Sequence, residues 1–215
     1  MEDQFRKFFA EARPIKLREP LAETLGAFEG DGNVVEYTYS DAVKMAGHAC
    51  PTVTGAYLAC QAALDALYPG EIPVRGEIAV TVHGEADEGV FGVMGQVFTY
   101  ITGAAPLTGF RGLGPKFKRK DLLKYSSDKP DPAAAVFEFK RLDNGRSVTV
   151  RFLPWEIPFP EEKAKRLGEV MEKVLWEAAK GPEARELKDL WIEKVRGMII
   201  DRNGIDRWLK VTVNP

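Results

Sequence analysis

The spacing of hydrophobic residues follows the helical period in some segments of the chain and the two-residue period of strands in others. In 90–103, apolar residues recur three or four positions apart, which predicts a helix. Alternation in 76–85 predicts a strand, as do the runs 134–142 and 147–153. The segment 143–145, Asp-Asn-Gly, separates the last two runs, and this turn signal predicts that they pair as a hairpin.

Prolines and charged amphipathic patterns indicate the longer helices. Pro51 suits the first position of a helix, which we predict over about 52–68. Near the end of the chain, the segments 161–180 and 183–200 have apolar stripes on otherwise charged helices, and a Gly-Pro pair separates them. They are expected to form a C-terminal helical extension at about 161–200.

Strand signals in the first part of the chain complete the fold prediction. The runs 22–28 and 34–39 flank the turn sequence EGDGN and predict a hairpin, and Ser40 is a good N-cap for a short helix that stops at Gly47. Strands cluster in hairpins instead of alternating singly with helices, so the predicted fold class is α+β. We expect one domain over 1–215, with a mixed or antiparallel sheet, packed helices and the C-terminal helical pair.

Composition and charge narrow the classes of function. The chain has 215 residues, 45% of them hydrophobic, which is ordinary for a globular protein that buries a core. The net charge of −2 argues against general nucleic-acid binding, and the lack of an 18-residue apolar stretch argues against a membrane partner. The N-terminal residues lack the apolar segment of a signal peptide, so a cytoplasmic location is expected.

Three of the four histidine and cysteine residues in the chain lie between positions 48 and 60. Because Pro51 opens the predicted helix, Cys50 is the expected N-cap, where unpaired backbone N–H groups and the helix dipole stabilise a thiolate. His48 lies two residues earlier. A thiolate and an imidazole at one helix N-terminus suit a divalent metal ion, zinc above all, or an activated cysteine nucleophile.

The second cysteine, Cys60, is not expected to share this site. Ten helical residues place it roughly 15 Å from Cys50 along the helix axis, which is too far for a disulfide. We interpret Cys60 as a small core residue. Two cysteines are also too few for a disulfide framework or a four-cysteine zinc module.

His83 stands near the end of the predicted strand 76–85, on the face opposite the apolar one. A lone strand histidine is most simply a surface residue. A catalytic zinc site usually has three protein ligands, however, and His48 and Cys50 supply two. We therefore predict that His83 lies near this pair as a third ligand or as a group that orients one, with a carboxylate such as Glu85 or Asp87 as the alternative.

The loop 102–120 is rich in glycine, and its positive charge comes from Arg111, Lys116, Lys118 and Arg119. Arg111 and Lys116 are the candidate ligand-binding residues. Glycines leave backbone N–H groups free to approach a ligand, so the loop could bind an anionic substrate or a phosphate-bearing cofactor. It matches neither the Walker pattern nor a clean G-x-G-x-x-G. The alternative interpretation is a flexible loop whose charges are solvated.

The sequence GHACP at 47–51, followed after three intervening residues by Gly55 and Ala56, resembles the G-H-x-C-P-G-x-x-x-G motif of the FmdE family of formylmethanofuran dehydrogenase components. The order of the following strand, helix and glycine-rich loop is also similar, and the resemblance covers roughly 36–125. It implies an α+β core that binds a divalent metal ion through the motif residues His48 and Cys50. It also implies a dimer with the site in a cleft.

The chain departs from the family pattern at three points. Thr52 replaces the glycine that usually follows the motif proline. Val93 and Gln96 stand where family members commonly carry a cysteine and an aspartate. The cysteine-rich zinc ribbon of many members is missing from this sequence. The resemblance therefore indicates a site more strongly than it indicates a reaction.

These expectations leave three hypotheses about function. The first is an enzyme or enzyme accessory with a His/Cys metal centre, in one-carbon or molybdenum/tungsten redox metabolism. The second is a non-catalytic module that binds or delivers a metal or cofactor. An open coordination position filled by water would favour the enzyme, and a closed four-ligand site would favour the module. The third, a metal-free Cys50 nucleophile with His48 as base, lacks an obvious residue to orient the base.

A homodimer is the expected assembly. The two predicted C-terminal helices carry apolar stripes that offer more surface than their own pairing needs. The alternative is that these stripes pack on the core sheet. The other expected partner is a small anionic ligand at the loop 102–120.

Overall fold

A computed structural model of the chain describes residues 5–29 and 32–215. In these ranges the protein has a five-stranded mixed sheet, two separate two-stranded pairs and seven α-helices, so its fold class is α+β, as predicted. The strands are β1 (Ile15–Arg18), β2 (Val34–Tyr37), β3 (Ile78–His83), β4 (Gly112–Leu113), β5 (Phe117–Lys118), β6 (Leu123–Ser126), β7 (Ala135–Arg141), β8 (Ser147–Phe152) and β9 (Leu209–Val213). The helices are α1 (Pro20–Thr24), α2 (Tyr39–Ala46), α3 (Pro51–Leu67), α4 (Phe91–Thr102), α5 (Glu161–Leu175), α6 (Gly181–Ile199) and α7 (Ile205–Trp208).

The large sheet has the strand order β6-β3-β7-β8-β9, with β3 and β6 parallel and the other neighbours antiparallel. Strands β7 and β8 form the predicted hairpin around 143–145. Burial alternates along β3, whose core face carries Ile78, Val80 and Val82. His83 lies on the opposite face of the strand and is half-buried, as the alternation predicts.

Helix α3 is the central helix of the core and is buried on almost every side. It packs on β7, β8 and β9, α4 packs on β3, and α6 packs against α3. Gly55 permits the close approach to the sheet, because a Cβ atom at this position would lie 2.5 Å from the Cζ atom of Phe152. The motif 47–51 forms the short connection from α2 into this buried helix.

The predicted hairpin between 22–28 and 34–39 is wrong. Residues Pro20–Thr24 form α1, which begins with a proline and has the buried Glu19 as its N-cap. Strand β2 pairs antiparallel with β1 instead. A short apolar run is compatible with a strand or a helix, and here the proline and the N-cap carboxylate favour the helix.

The N-cap of α2 is Thr38, and the prediction that Ser40 fills this position is wrong. The Thr38 side chain accepts a hydrogen bond from the Asp41 backbone N–H, and the Asp41 carboxylate accepts one from the Thr38 N–H at 2.9 Å. This reciprocal capping box places Ser40 inside the first turn. The helix ends at Gly47, as predicted, where φ is 77°, a conformation that glycine adopts without strain.

The C-terminal helical pair is present as α5 and α6. The Gly-Pro pair at 181–182 forms the first turn of α6, where the missing proline N–H costs no helical hydrogen bond. Val195 and Met198 of α6 are buried in the core, whereas Leu175 and Trp176 at the end of α5 are exposed. No helix in the described part of the chain is both long and apolar enough to cross a membrane.

Candidate functional site

Cys50 is the N-cap of α3, as the sequence predicts. Its backbone is extended, and its Sγ atom accepts a hydrogen bond from the Val53 backbone N–H at 3.4 Å. Pro51 occupies the first helical turn, and the Thr54 hydroxyl donates to the Cys50 carbonyl oxygen at 2.8 Å. The sulfur therefore faces the N-terminal end of a 17-residue helix, where the helix dipole stabilises negative charge.

His48 is exposed and lies in the connection between α2 and α3. Its Nδ1 atom is 3.0 Å from the carbonyl oxygen of Ala46. A carbonyl oxygen can only accept, so Nδ1 carries the proton of this hydrogen bond and the neutral ring has its lone pair on Nε2. A backbone carbonyl that fixes the tautomer in this way is typical of histidines that bind metal ions through the other nitrogen.

The connection is held against the C-terminal helices by Trp191 of α6. The indole Nε1 atom donates a hydrogen bond to the carbonyl oxygen of Ala49 at 2.7 Å. Beside this contact is a groove of about 460 Å³ between the connection and the helical pair. Its lining is mostly apolar and consists of Arg6, His48, Ala49, Met171, Leu187, Lys188, Trp191 and Ile192.

Sequence patterns did not predict this groove. Its two walls, the connection and the helical pair, are more than a hundred residues apart in the chain. The amphipathic pattern of α6 does signal an apolar face, but periodicity alone does not say what that face covers. A large apolar concavity with a few polar groups at its rim is the usual form of a small-molecule site.

Cys60 is fully buried within α3 and has a free thiol, so its interpretation as a core residue is confirmed. Burial raises the pKa of the Cys60 thiol well above its ordinary value, because a thiolate there would lose its hydration. Such a thiol is unsuited to nucleophilic chemistry near neutral pH.

His83 ends β3, opposite Val136 of β7 and Ser126 of β6. Its Nδ1 atom is buried and has no hydrogen-bond partner. Within residues 5–29 and 32–215, no group of three or more His, Cys, Asp and Glu side chains could hold a metal ion. His48, Cys50 and His83 therefore do not form a three-ligand set within this chain.

The two candidate residues of the loop 102–120 have different surroundings. Arg111 is exposed, and its carbonyl oxygen accepts the backbone N–H of Arg119 at 3.1 Å. Lys116 is also exposed, but it lines a small cavity together with Arg75 and Arg119. The sequence did not predict that Arg119 is buried and paired, because its partner Glu19 is 100 positions away and only tertiary packing brings the two together.

The positions that correspond to the family cysteine and aspartate lie on α4. Val93 is partly exposed, and Gln96 lines an open cleft of about 320 Å³ between α2, α4 and the loop that follows α4. Tyr100 and Tyr125 line the same cleft. Neither position adds an acidic or thiol ligand to the His48–Cys50 connection.

The fold and the candidate site define an α+β protein with a histidine and a cysteine at the entry to its central buried helix. No model of a protein family matches this chain, and no curated protein matches its sequence. The likeness to the FmdE family therefore depends on the motif residues and on the order of the elements that follow them.

Proposed function

We propose that this protein binds a divalent metal ion, most readily zinc, through the His48 imidazole and the Cys50 thiolate. The proposal extends the resemblance to the FmdE family of formylmethanofuran dehydrogenase components, in which the motif histidine and cysteine bind the metal. Imidazole nitrogen and thiolate sulfur are the donors that zinc prefers. Cys50, which is buried, caps α3, and the exposed His48 lies two residues before it.

The single observation that carries the proposal is the 3.0 Å hydrogen bond between His48 Nδ1 and the Ala46 carbonyl oxygen. Because Nδ1 donates to the Ala46 carbonyl, Nε2 is the free acceptor nitrogen of an exposed side chain. The ring needs no rearrangement of its hydrogen bonds to bind an ion through Nε2.

This donor set fits a zinc site that leaves coordination positions for water better than a site filled by four protein ligands. The described residues offer no third or fourth protein ligand beside the pair, so a bound ion would keep coordination positions for water or an added ligand. Catalytic zinc usually has three protein ligands and an open position, one ligand more than this pair supplies, whereas structural zinc has four protein ligands. This favours an enzyme or enzyme accessory, in one-carbon or molybdenum/tungsten redox metabolism, over a non-catalytic binding or delivery module.

The groove beside His48 suggests the kind of molecule that such an ion would receive. Its walls include Met171, Leu187 and Trp191, while charged groups lie at its edge. A ligand with a metal-binding head and an apolar body of modest size fits this lining. A free metal ion to be delivered would not need the apolar walls.

Zinc titration of untagged protein against a chromophoric chelator tests the proposal. We expect wild-type protein to bind zinc, and His48→Ala to lower the affinity at least tenfold, since half of the protein donor set is lost. Because His48 is exposed, this substitution should leave folding intact.

Lys188→Ala is the matched control, since Lys188 lines the same groove and has no soft donor atom. Its zinc affinity should stay within twofold of wild type. Equal affinities of His48→Ala and wild-type protein would rule the site out.

A further inference from the structure

A buried cluster of charges joins Glu19, at the start of α1, to Arg75 and Arg119 in later segments of the chain. The Glu19 carboxylate accepts from Arg75 Nη1 at 2.7 Å and from Arg119 Nη2 at 2.6 Å. Glu19 and Arg119 are almost completely buried, and Arg75 is mostly buried. Two guanidinium groups thus share one carboxylate, and the cluster has a net charge of +1.

Arg119 is the group that this arrangement leaves incompletely satisfied. Its Nη1 atom is buried and has no hydrogen-bond partner, although Nη2 is paired. Burial lowers the pKa of the Arg119 guanidinium, with Glu19 acting in the opposite direction. Buried polar nitrogens without a protein partner are rare in folded proteins, so this one points to an interaction with a ligand or with water.

The guanidinium is held in one position by the backbone around it. A Cβ atom on Gly76 would lie 1.6 Å from Arg119 Nη1, and one on Gly103 would lie 2.7 Å from it. Both glycines have positive φ values, and their missing side chains make room for the arginine. The Arg119 backbone is fixed as well, because its carbonyl oxygen accepts the Ala105 N–H at 3.1 Å.

A cavity of about 50 Å³ opens beside this group. Arg75, Arg119 and Lys116 line it and bring three positive charges, and among the described residues the exposed Glu77 is the one acidic member of the lining. The remaining lining residues are Pro20, Gly76 and Phe117. The potential in the cavity is therefore positive, and Arg119, whose Nη1 atom no protein atom satisfies, is one of the lining residues.

We propose that this cavity binds one oxyanion group, a carboxylate or a phosphate, between Arg119 and Lys116. A water molecule would satisfy Nη1 but would leave the net charge of the cluster uncompensated. An anion would satisfy Nη1 and would also compensate the charge. Guanidinium N–H groups suit the oxygen atoms of carboxylates and phosphates in particular.

The size of the cavity limits the ligand to a single such group. One water molecule needs about 10–15 Å³ of such cavity volume, so 50 Å³ admits a few water molecules, one small anion or the anionic end of a larger molecule. The site is independent of the proposed metal centre, because none of its lining residues belongs to the His48–Cys50 connection.

Thermal unfolding in sodium acetate, sodium phosphate and sodium chloride at constant ionic strength tests the site. We expect acetate or phosphate to raise the unfolding temperature saturably, by about 3–6 °C at ten times its dissociation constant, because only the folded state has the cavity. Comparison of the two oxyanions tells a carboxylate site from a phosphate site. A saturable shift with chloride alone, or with none of the three, would overturn the proposal.

Lys116 and Lys118, both in the β4–β5 hairpin, supply matched variants. Lys116→Ala removes a charge from the cavity wall and should weaken the anion at least threefold, while Lys118→Ala removes an exposed charge outside the lining and should change the affinity less than twofold. Both side chains are exposed, so both variants should fold. Equal weakening by Lys116→Ala and Lys118→Ala would mean that the anion responds only to general charge attraction. This result would contradict a specific binding site in the cavity.

Discussion

The indole of Trp191 donates a hydrogen bond to the carbonyl oxygen of Ala49, a residue 142 positions earlier in the chain. This bond joins α6 to the connection that carries His48 and Cys50. The helical extension is therefore part of the candidate site, since it forms one wall of the groove.

Replacing Trp191 by phenylalanine should separate this hydrogen bond from the packing of the ring. Trp191→Phe keeps an aromatic ring but loses the donor, and should lower the free energy of unfolding by about 1 kcal/mol. We also expect weaker zinc binding, because the position of the connection is less well fixed. Urea unfolding and zinc titration measure the two effects. Trp155→Phe, at a residue that is 61% exposed, is the control, and equal losses in both variants would argue against a role for the bond.

The roles of Cys50 as N-cap and as metal donor can be separated by two substitutions. Cys50→Ala removes the acceptor of the Val53 N–H and should cost about 1 kcal/mol of stability, whereas Cys50→Ser keeps an N-cap acceptor. Both should lower bound zinc several-fold more than Cys60→Ala does, since Cys50 caps the N-terminus of α3 whereas Cys60 lies in the middle of the helix with no exposed surface. Zinc content after dialysis and urea unfolding give the comparison. Equal zinc losses from Cys50→Ala and Cys60→Ala would remove Cys50 from the site.

Stability should fall at alkaline pH because of the buried Cys60 thiol. In the unfolded chain this thiol ionises near pH 8.5, while burial raises its pKa in the folded protein. The unfolded state therefore loses its proton first, and the free energy of unfolding should fall above about pH 8.5, by up to about 1.4 kcal/mol per pH unit.

Urea unfolding of wild-type protein and Cys60→Ala between pH 7.5 and 10 measures this effect. The variant should lack the fall in this window. At higher pH both proteins should lose stability, since burial also raises the pKa of the Tyr39 and Tyr57 phenols above the usual value near 10. An identical fall in the two proteins below pH 10 would contradict the assignment to Cys60.

We expect the protein to be a homodimer in solution. Leu175 and Trp176 at the end of α5 are 72% and 78% exposed, and apolar surface of this kind among charged residues is typical of interfaces. Light scattering at high micromolar concentration should give twice the chain mass of 23.9 kDa. A mass of one chain under these conditions would show that the exposed apolar residues serve another purpose.

The sequence by itself determined the elements whose signals are local. Pro51 after Cys50 predicted the N-cap of α3, and the turn at 143–145 predicted the β7–β8 hairpin, because capping and turn geometry depend on residues a few positions apart. Alternation along β3 likewise predicted which of its faces is buried. The candidate histidine and cysteine were found because they belong to one such local motif.

Only the tertiary structure decided which distant segments meet. Strand β2 pairs with β1 and not with residues 22–28, Trp191 reaches Ala49, and Glu19 joins Arg75 and Arg119. No local pattern encodes these pairings. They arise when burying apolar faces brings remote polar groups together, and each such group must then find a hydrogen-bond partner in the segment that covers it.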